Sequence, residues 1–149
     1  MDKMPWGYAM QTFLFPATVI NDGGFKVVSF RDIPEAITQV APDENFLEVV
    51  TDALATAMEF YIEDDRIIPF ASEPQGGETC IDLPLSLVGK IILHNTMLKN
   101  GKRQADIARA LDIPTSEMAR IVNPSRKTKI DTLAKAVNVA GGKMVLTCI

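Results

Sequence analysis

Residues 103–122, RQADIARALDIPTSEMARIV, set small, apolar and hydrogen-bonding side chains at the spacing of a helix-turn-helix. With Gln104 as the first motif position, Ala108 falls fifth, where two helices would come closest. Ile113 occupies the turn, and Met118 and Ile121 anchor the second helix. The chemistry open to such a unit is recognition of duplex DNA, in which the start of the second helix meets base edges and flanking groups grip phosphates. Ser116, Glu117 and Arg120 are the base-edge candidates, with Thr115 beside them at the helix start. Gln104, Asn123, Arg126, Lys127 and Lys129 are the phosphate candidates. Each has a plainer use: Thr115 or Ser116 as an N-cap, Glu117 as a capping-box partner, Arg120 as a solvated charge. Asp112 stands where glycine is commonest, so it must accept a left-handed backbone.

Other chemistries find less support. A metal-dependent nuclease needs several carboxylates converging from strand interiors onto divalent cations. The first apolar run, Phe13 to Ile20, has none; Asp22 and Asp32 only flank the strands. There is no glycine-rich phosphate loop, and the only histidine, His94, lies in the other half of the chain, where a lone helical His is structural or exposed and is given no catalytic role. Cys80 and Cys148 lie far apart, with no Cys or His near either to complete a metal site. The expectation is a binding protein with no catalytic residue, metal or cofactor.

Charge is distributed unevenly. The 149 residues carry net −4, an awkward sign for a partner of DNA. Residues 1–82 hold four basic against fifteen acidic side chains, net −11, whereas residues 83–149 hold eleven against four, net +7. Such asymmetry points to a different partner for each half. No stretch approaches the roughly 18 apolar residues of a membrane span. The N-terminus lacks an apolar core behind basic residues, so a cytoplasmic protein without a secretory signal is expected.

The elements that must position these residues follow from pattern. TFLFPATVIND and FKVVSF, joined at Asp22-Gly23-Gly24, read as a hairpin with Pro16 on an edge or at a bulge. RDIPEAITQ reads as irregular because of Pro34. From about Asp43 to Ile62, Phe46, Val50, Ala53, Leu54, Ala57 and Tyr61 recur at helical spacing. RIIPFA and ETCIDL read as two further strands, giving an α+β layer of order ββαββ. After the Leu83-Pro84 break, four helices are expected: one from Pro84 to Gly101 with Val88, Ile91, Ile92 and Leu98 inward, the two of the motif, and IDTLAKAV. KMVLTCI reads as a closing strand. Domains are therefore expected at 12–82 and 83–149, behind a tail at 1–11.

The segments DGGFKVVSFRDIPEAITQ, DALATAMEFYIEDDRIIP and IDLPLSLVGKIIL, followed by the helix-turn-helix and its KTKIDTLAKA tail, resemble the HicB antitoxins of type II toxin–antitoxin systems over about residues 12–149. Val40 departs from the family pattern, which has glycine after the Thr-Gln pair. The resemblance implies a partial ribonuclease H-like fold for the N-terminal domain, which would cap HicA, a small basic mRNA-cleaving toxin. It implies that the C-terminal helix-turn-helix binds operator DNA of the same operon, as a homodimer or higher homo-oligomer. An acidic domain facing an RNA-binding toxin is electrostatically sensible. Toxin contacts are expected from the hairpin and the loop after it, through Asp22, Phe30, Asp32, Ile33 and Glu35. Met144, Val145, Leu146 and Thr147 are expected to pair with the same strand of a second copy, since nothing in a four-helix domain would cover that edge. The competing readings are a stand-alone regulator whose acidic domain binds something else, and a nuclease.

Overall fold

The computed structural model describes residues 12–148; the expected tail at 1–11 lies outside them. The hairpin forms where the glycines require it. Strands β1 (Phe15–Asp22) and β2 (Phe25–Phe30) close on the pair Asp22–Phe25. Gly23 and Gly24 turn the chain at φ 57° and 87°, the positive values that both central residues of a type I′ turn need. β1 is an interior strand, flanked by β2 and by β4 (Glu78–Ile81). Pro16 is tolerated there because it pairs only with Cys80, while the β1–β2 ladder starts one residue later, at Ala17–Phe30.

The order of elements differs from ββαββ. The turn marked by Ala36 N donating to the Ile33 carbonyl (3.0 Å) sends Ile37–Val40 back along β2 as β3. Pro34 therefore ends one strand without preventing the next. Helix α1 (Phe46–Glu63) follows, entered through Asn45, whose Oδ1 accepts from Glu48 N at 3.0 Å. RIIPFA, despite its composition, is no strand, because its backbone groups are taken elsewhere. The Asn95 side chain receives Ile68 N (2.9 Å) and donates to the Ile68 carbonyl (2.8 Å), and Ala71 N donates to the Thr12 carbonyl (2.9 Å). The sheet thus runs β3-β2-β1-β4, all neighbours antiparallel, in the order βββαβ. One face, with Phe15, Ala17, Val28, Phe30, Val40 and Ile81, is buried. Val50, Leu54 and Ala57 of α1 are buried too, and Lys26 Nζ lies 5.4 Å above the Phe46 ring.

Four more helices follow among the described residues: α2 (Leu85–Lys99), α3 (Gln104–Leu111), α4 (Thr115–Val122) and α5 (Ile130–Val139). Their core joins Leu93, Met97, Ile107, Ala108, Met118, Ile121, Leu133 and Val137. α2 is buried more widely than a single stripe, at Leu87, Lys90, Leu93, His94 and Met97, while Val88, Ile92 and Leu98 are only half-buried. Gly89 explains part of this: a Cβ there would lie 2.8 Å from Leu133 Cδ1, so α5 crosses against bare backbone. Among the described residues no strand follows α5: residues 142–148 are irregular and join no ladder. Met144 leans on the helical core, while Val145 and Leu146 are exposed. No helix among the described residues is long and apolar enough to cross a membrane.

Contacts divide the chain into two compact units. Among the described residues, one comprises 12–57 with Pro69–Leu83, the other Met58–Ile68 with 84–148. Helix α1 contributes to both. The division moves Glu59, Glu63, Asp64 and Asp65 to the helical unit, which then counts twelve basic and eight acidic side chains, net +4. The described part of the sheet unit holds two basic and ten acidic ones, net −8.

Candidate functional site

In the helical unit the motif residues fold so that one side is anchored and the other free. α3 is capped by Arg103, whose N–H donates to Asp106 Oδ2 (2.9 Å); that bond, together with the charges of Arg103 and Arg109, holds the Asp106 carboxyl below its usual range. The helix ends at Asp112, which takes φ 54° and ψ 49°, the left-handed conformation expected of this position. Pro114, extended at φ −63° and ψ 152°, starts α4 with no side-chain cap. Thr115 and Ser116 are therefore first-turn residues, not caps. Ile107, Ala108, Met118 and Ile121 are buried, whereas Gln104, Thr115, Ser116, Glu117 and Arg120 are exposed. Arg126, Lys127 and Lys129 are exposed in the loop after α4. Asn123 is half-buried: its Oδ1 accepts from Ser125 N at 2.9 Å, so its oxygen belongs to the turn.

A residue that the sequence pattern did not single out holds this arrangement. Lys90 of α2 is 2% exposed, and its Nζ reaches under the end of α4. It contacts the carbonyls of Arg120 (3.1 Å), Ile121 (2.9 Å) and Asn123 (2.8 Å), and Thr128 Oγ1 (2.8 Å). Carbonyls at a helix C-terminus carry partial negative charge and have no helical partner, so an ammonium suits them. Burial pulls the Lys90 pKa down to about 8. The signal in the sequence was a lysine set between Leu87, Ile91 and His94, in helical register with buried positions. Ser125 Oγ meanwhile donates to Glu59 of α1, fixing the other side of the loop. His94 is structural: its ring Nε2 lies 2.6 Å from the Arg66 carbonyl, and burial lowers its pKa.

The sheet unit places its candidates differently. Phe30 and Ile33 are 2% and 0% exposed, so neither is available as a surface anchor. Both belong to the core, Phe30 because it shares the inner face with Ala17 and Val28, Ile33 at the turn beneath β3. Asp32 is engaged internally, accepting from Ser72 N (2.9 Å) and Ser72 Oγ (2.8 Å). Its neighbour Arg31 clasps Glu78 through Nη2 (2.8 Å) and Nε (3.2 Å), and donates to Ser72 Oγ and the Glu73 carbonyl. That clasp, aided by Gln75 N–H, holds the Glu78 carboxyl below its usual range. Asp22 and Glu35 remain exposed. Among the described residues no group of three or more His, Cys, Asp or Glu is placed to hold a metal ion.

Comparison with known proteins agrees with the resemblance drawn from the sequence. The profile of a family described as HicB-like antitoxin of bacterial toxin-antitoxin system matches residues 14–92. Antitoxin HicB 2 of Photorhabdus laumondii is 41% identical over 135 residues, covering 91% of this chain and 96% of that relative. Antitoxin HicB of Escherichia coli is 37% identical over 137 residues, covering 91% of this chain and 99% of its own length. Antitoxin HicB of Pseudomonas fluorescens is 28% identical over 136 residues, covering 91% and 93%. The chain belongs to the HicB antitoxins, a family of regulators rather than enzymes.

Proposed function

We propose that this antitoxin inhibits a HicA-type mRNA-cleaving toxin through its sheet unit and represses its own operon through α3 and α4. The sheet-and-helix layer is read as the partial ribonuclease H-like fold of the family, and the helical unit as its helix-turn-helix. The observation that carries the DNA half is the exposure of Ser116, Glu117 and Arg120 on one side of a helix whose opposite side is anchored by Met118 and Ile121. The basic loop lies directly after that helix in the chain, and the helical unit is net +4, which supports phosphate contact. Dimerisation through Met144–Thr147 supplies the two-fold symmetry that paired half-sites require. The toxin half rests on the family and on the net −8 of the sheet unit. The test is co-expression with the HicA-type toxin of the same operon, together with titration of the operon's promoter fragment. The expected results are restored growth, arrested RNA cleavage, and a shifted promoter band that competitor DNA of unrelated sequence does not abolish. Unchanged cleavage would remove the first role, and loss of the shift to any competitor would remove the second.

A further inference from the structure

The outer face of the sheet breaks the usual pattern of a two-layer domain. An antiparallel sheet covered on one side normally shows polar residues on the other. Here the open side carries Ile20, Phe25 and Ile37 at 58%, 39% and 66% exposure, with Val27 half-buried among them. The register makes them neighbours, with Thr18, Ser29 and Gln39 of the same face set between and beside them. Ile20 lies opposite Val27 across the β1–β2 pair, Phe25 is two residues from Val27 on the same face, and Ile37 is diagonal to Val27 through its pairing with Ser29. Single exposed apolar residues need no explanation, but an apolar patch spanning three strands marks a contact surface.

Its electrostatics select the partner. Asp22 stands on the same face, opposite Phe25, at the hairpin end. The two cations of the described sheet unit are both engaged: Lys26 points to the other side, over Phe46, and Arg31 is clasped by Glu78. What meets this face must therefore tolerate negative charge and cover aliphatic side chains. A ribonuclease toxin has the matching property, since it must present cations where RNA phosphates bind.

Resting on the toxin-inhibitor reading above, we propose that the toxin seats on the open face of the sheet, with Ile20, Phe25, Val27 and Ile37 as its apolar footing and Asp22 as its acidic rim. Phe30 and Ile33 only brace this surface from behind. Because the four footing residues are exposed or half-buried, trimming Ile20 and Ile37 leaves the core intact. Cys80, exposed on β4 opposite Pro16, lies on the same face and offers a reporter.

The experiment uses the full chain and the HicA-type toxin of its operon. Toxin affinity is measured for the unaltered protein, for Ile20→Ala with Ile37→Ala, and for Asp22→Lys, each checked for its thermal melt and its promoter affinity. The double variant should bind the toxin about thirtyfold more weakly, the scale of a buried apolar anchor pair, with melt and promoter affinity unchanged. Asp22→Lys should slow association and weaken its dependence on salt. In a Cys148→Ser background, alkylation of Cys80 should slow when toxin is added. If the unaltered chain binds toxin while the double variant binds within twofold of it and Cys80 stays as reactive, the face is wrong and the inhibitor reading stands. If the unaltered chain fails to bind toxin, the inhibitor reading itself falls. If the double variant instead changes the oligomeric state of the toxin-free chain, the face belongs to self-association and the proposal is overturned.

Discussion

Lys90 concentrates several demands on one atom. Its Nζ neutralises the C-terminal end of α4 and ties Asn123 and Thr128, which bracket the basic loop, to α2. Replacing Lys90 with Met would keep the volume but remove the ammonium from four oxygens, of which the Arg120 and Asn123 carbonyls keep a backbone donor from Asn123 N and Arg126 N. A loss of about 3 kcal/mol is expected, the scale for stripping one member from a buried charged network. Urea unfolding followed by far-ultraviolet circular dichroism measures it, and tryptic cleavage at Arg126 or Lys127 should accelerate in parallel. His94 makes a pH-dependent contribution of definite sign. Its folded pKa lies below the ordinary 6.5, because burial outweighs the Arg66 carbonyl and Asp65. Above that ordinary value both folded and unfolded states are neutral and the group costs nothing. As pH falls below it, the unfolded chain takes the proton first and stability drops. His94→Gln should flatten the decline in melting temperature between about pH 7.5 and 5.5, the range around the unperturbed histidine pKa. An equal decline in the variant would assign the acid sensitivity to other groups. Residues read well from sequence where local backbone decides, as at Asp112. They read poorly where the partner is a distant carbonyl, as for Lys90, 30 residues or more from its acceptors. Phe30 and Ile33 show a related limit: an apolar side chain declares that it wants cover, not whether core or partner supplies it, and here the core does.

Among the elements, the helices were the more legible class. α3 and α4 are specified by contacts three and four residues apart and by one turn, all within 20 residues of chain. ITQV and RIIPFA show the contrary case, since both are apolar and β-branched enough to be strands. β2 has an open edge for Ile37–Val40, whereas Asn95 occupies the backbone of Ile68. Strand identity thus depends on which neighbour is available, a fact that a short window of sequence does not hold. The loop between α4 and α5 belongs to this scale as well. Arg126→Ala with Lys127→Ala should weaken binding to every duplex and reduce the slope of log affinity against log salt by about 1–2, one phosphate contact per lost cation. Measured over a series of salt concentrations, an unchanged slope would take the loop out of the interface. Arg120→Ala, by contrast, should narrow the difference between promoter and unrelated DNA.

At the scale of the whole chain, the charge split read from sequence survives only in outline. Dividing the residues by contact rather than at Leu83-Pro84 changes −11 and +7 into −8 and +4 over the described residues. Four carboxylates travel with the helical unit, one of them, Glu59, bonded to the basic loop. A fragment beginning at Pro84 leaves His94, Asn95 and Ser125 without these partners, whereas one beginning at Met58 retains them. The longer fragment should melt at the higher temperature by several degrees, as the loss of the part-buried His94 and Asn95 hydrogen bonds would dictate; equal melting temperatures would mean that 58–68 adds nothing. Truncation after Gly142 should give a monomeric chain with weaker promoter affinity in sedimentation and binding measurements, and continued dimerisation would move the interface elsewhere. The manner in which 66–68 is fastened also constrains how the chain can diverge. His94 reaches a main-chain oxygen, and Asn95 takes a main-chain N–H and C=O. Main-chain atoms serve as the partners, so this fastening asks nothing of the side chains at 66–68 beyond a non-proline residue at 68, and it is burial that fixes Ile68 itself. The number of residues is held more tightly: one inserted or deleted residue would shift Ile68 out of reach of Asn95, and the fastening would be lost at a stroke.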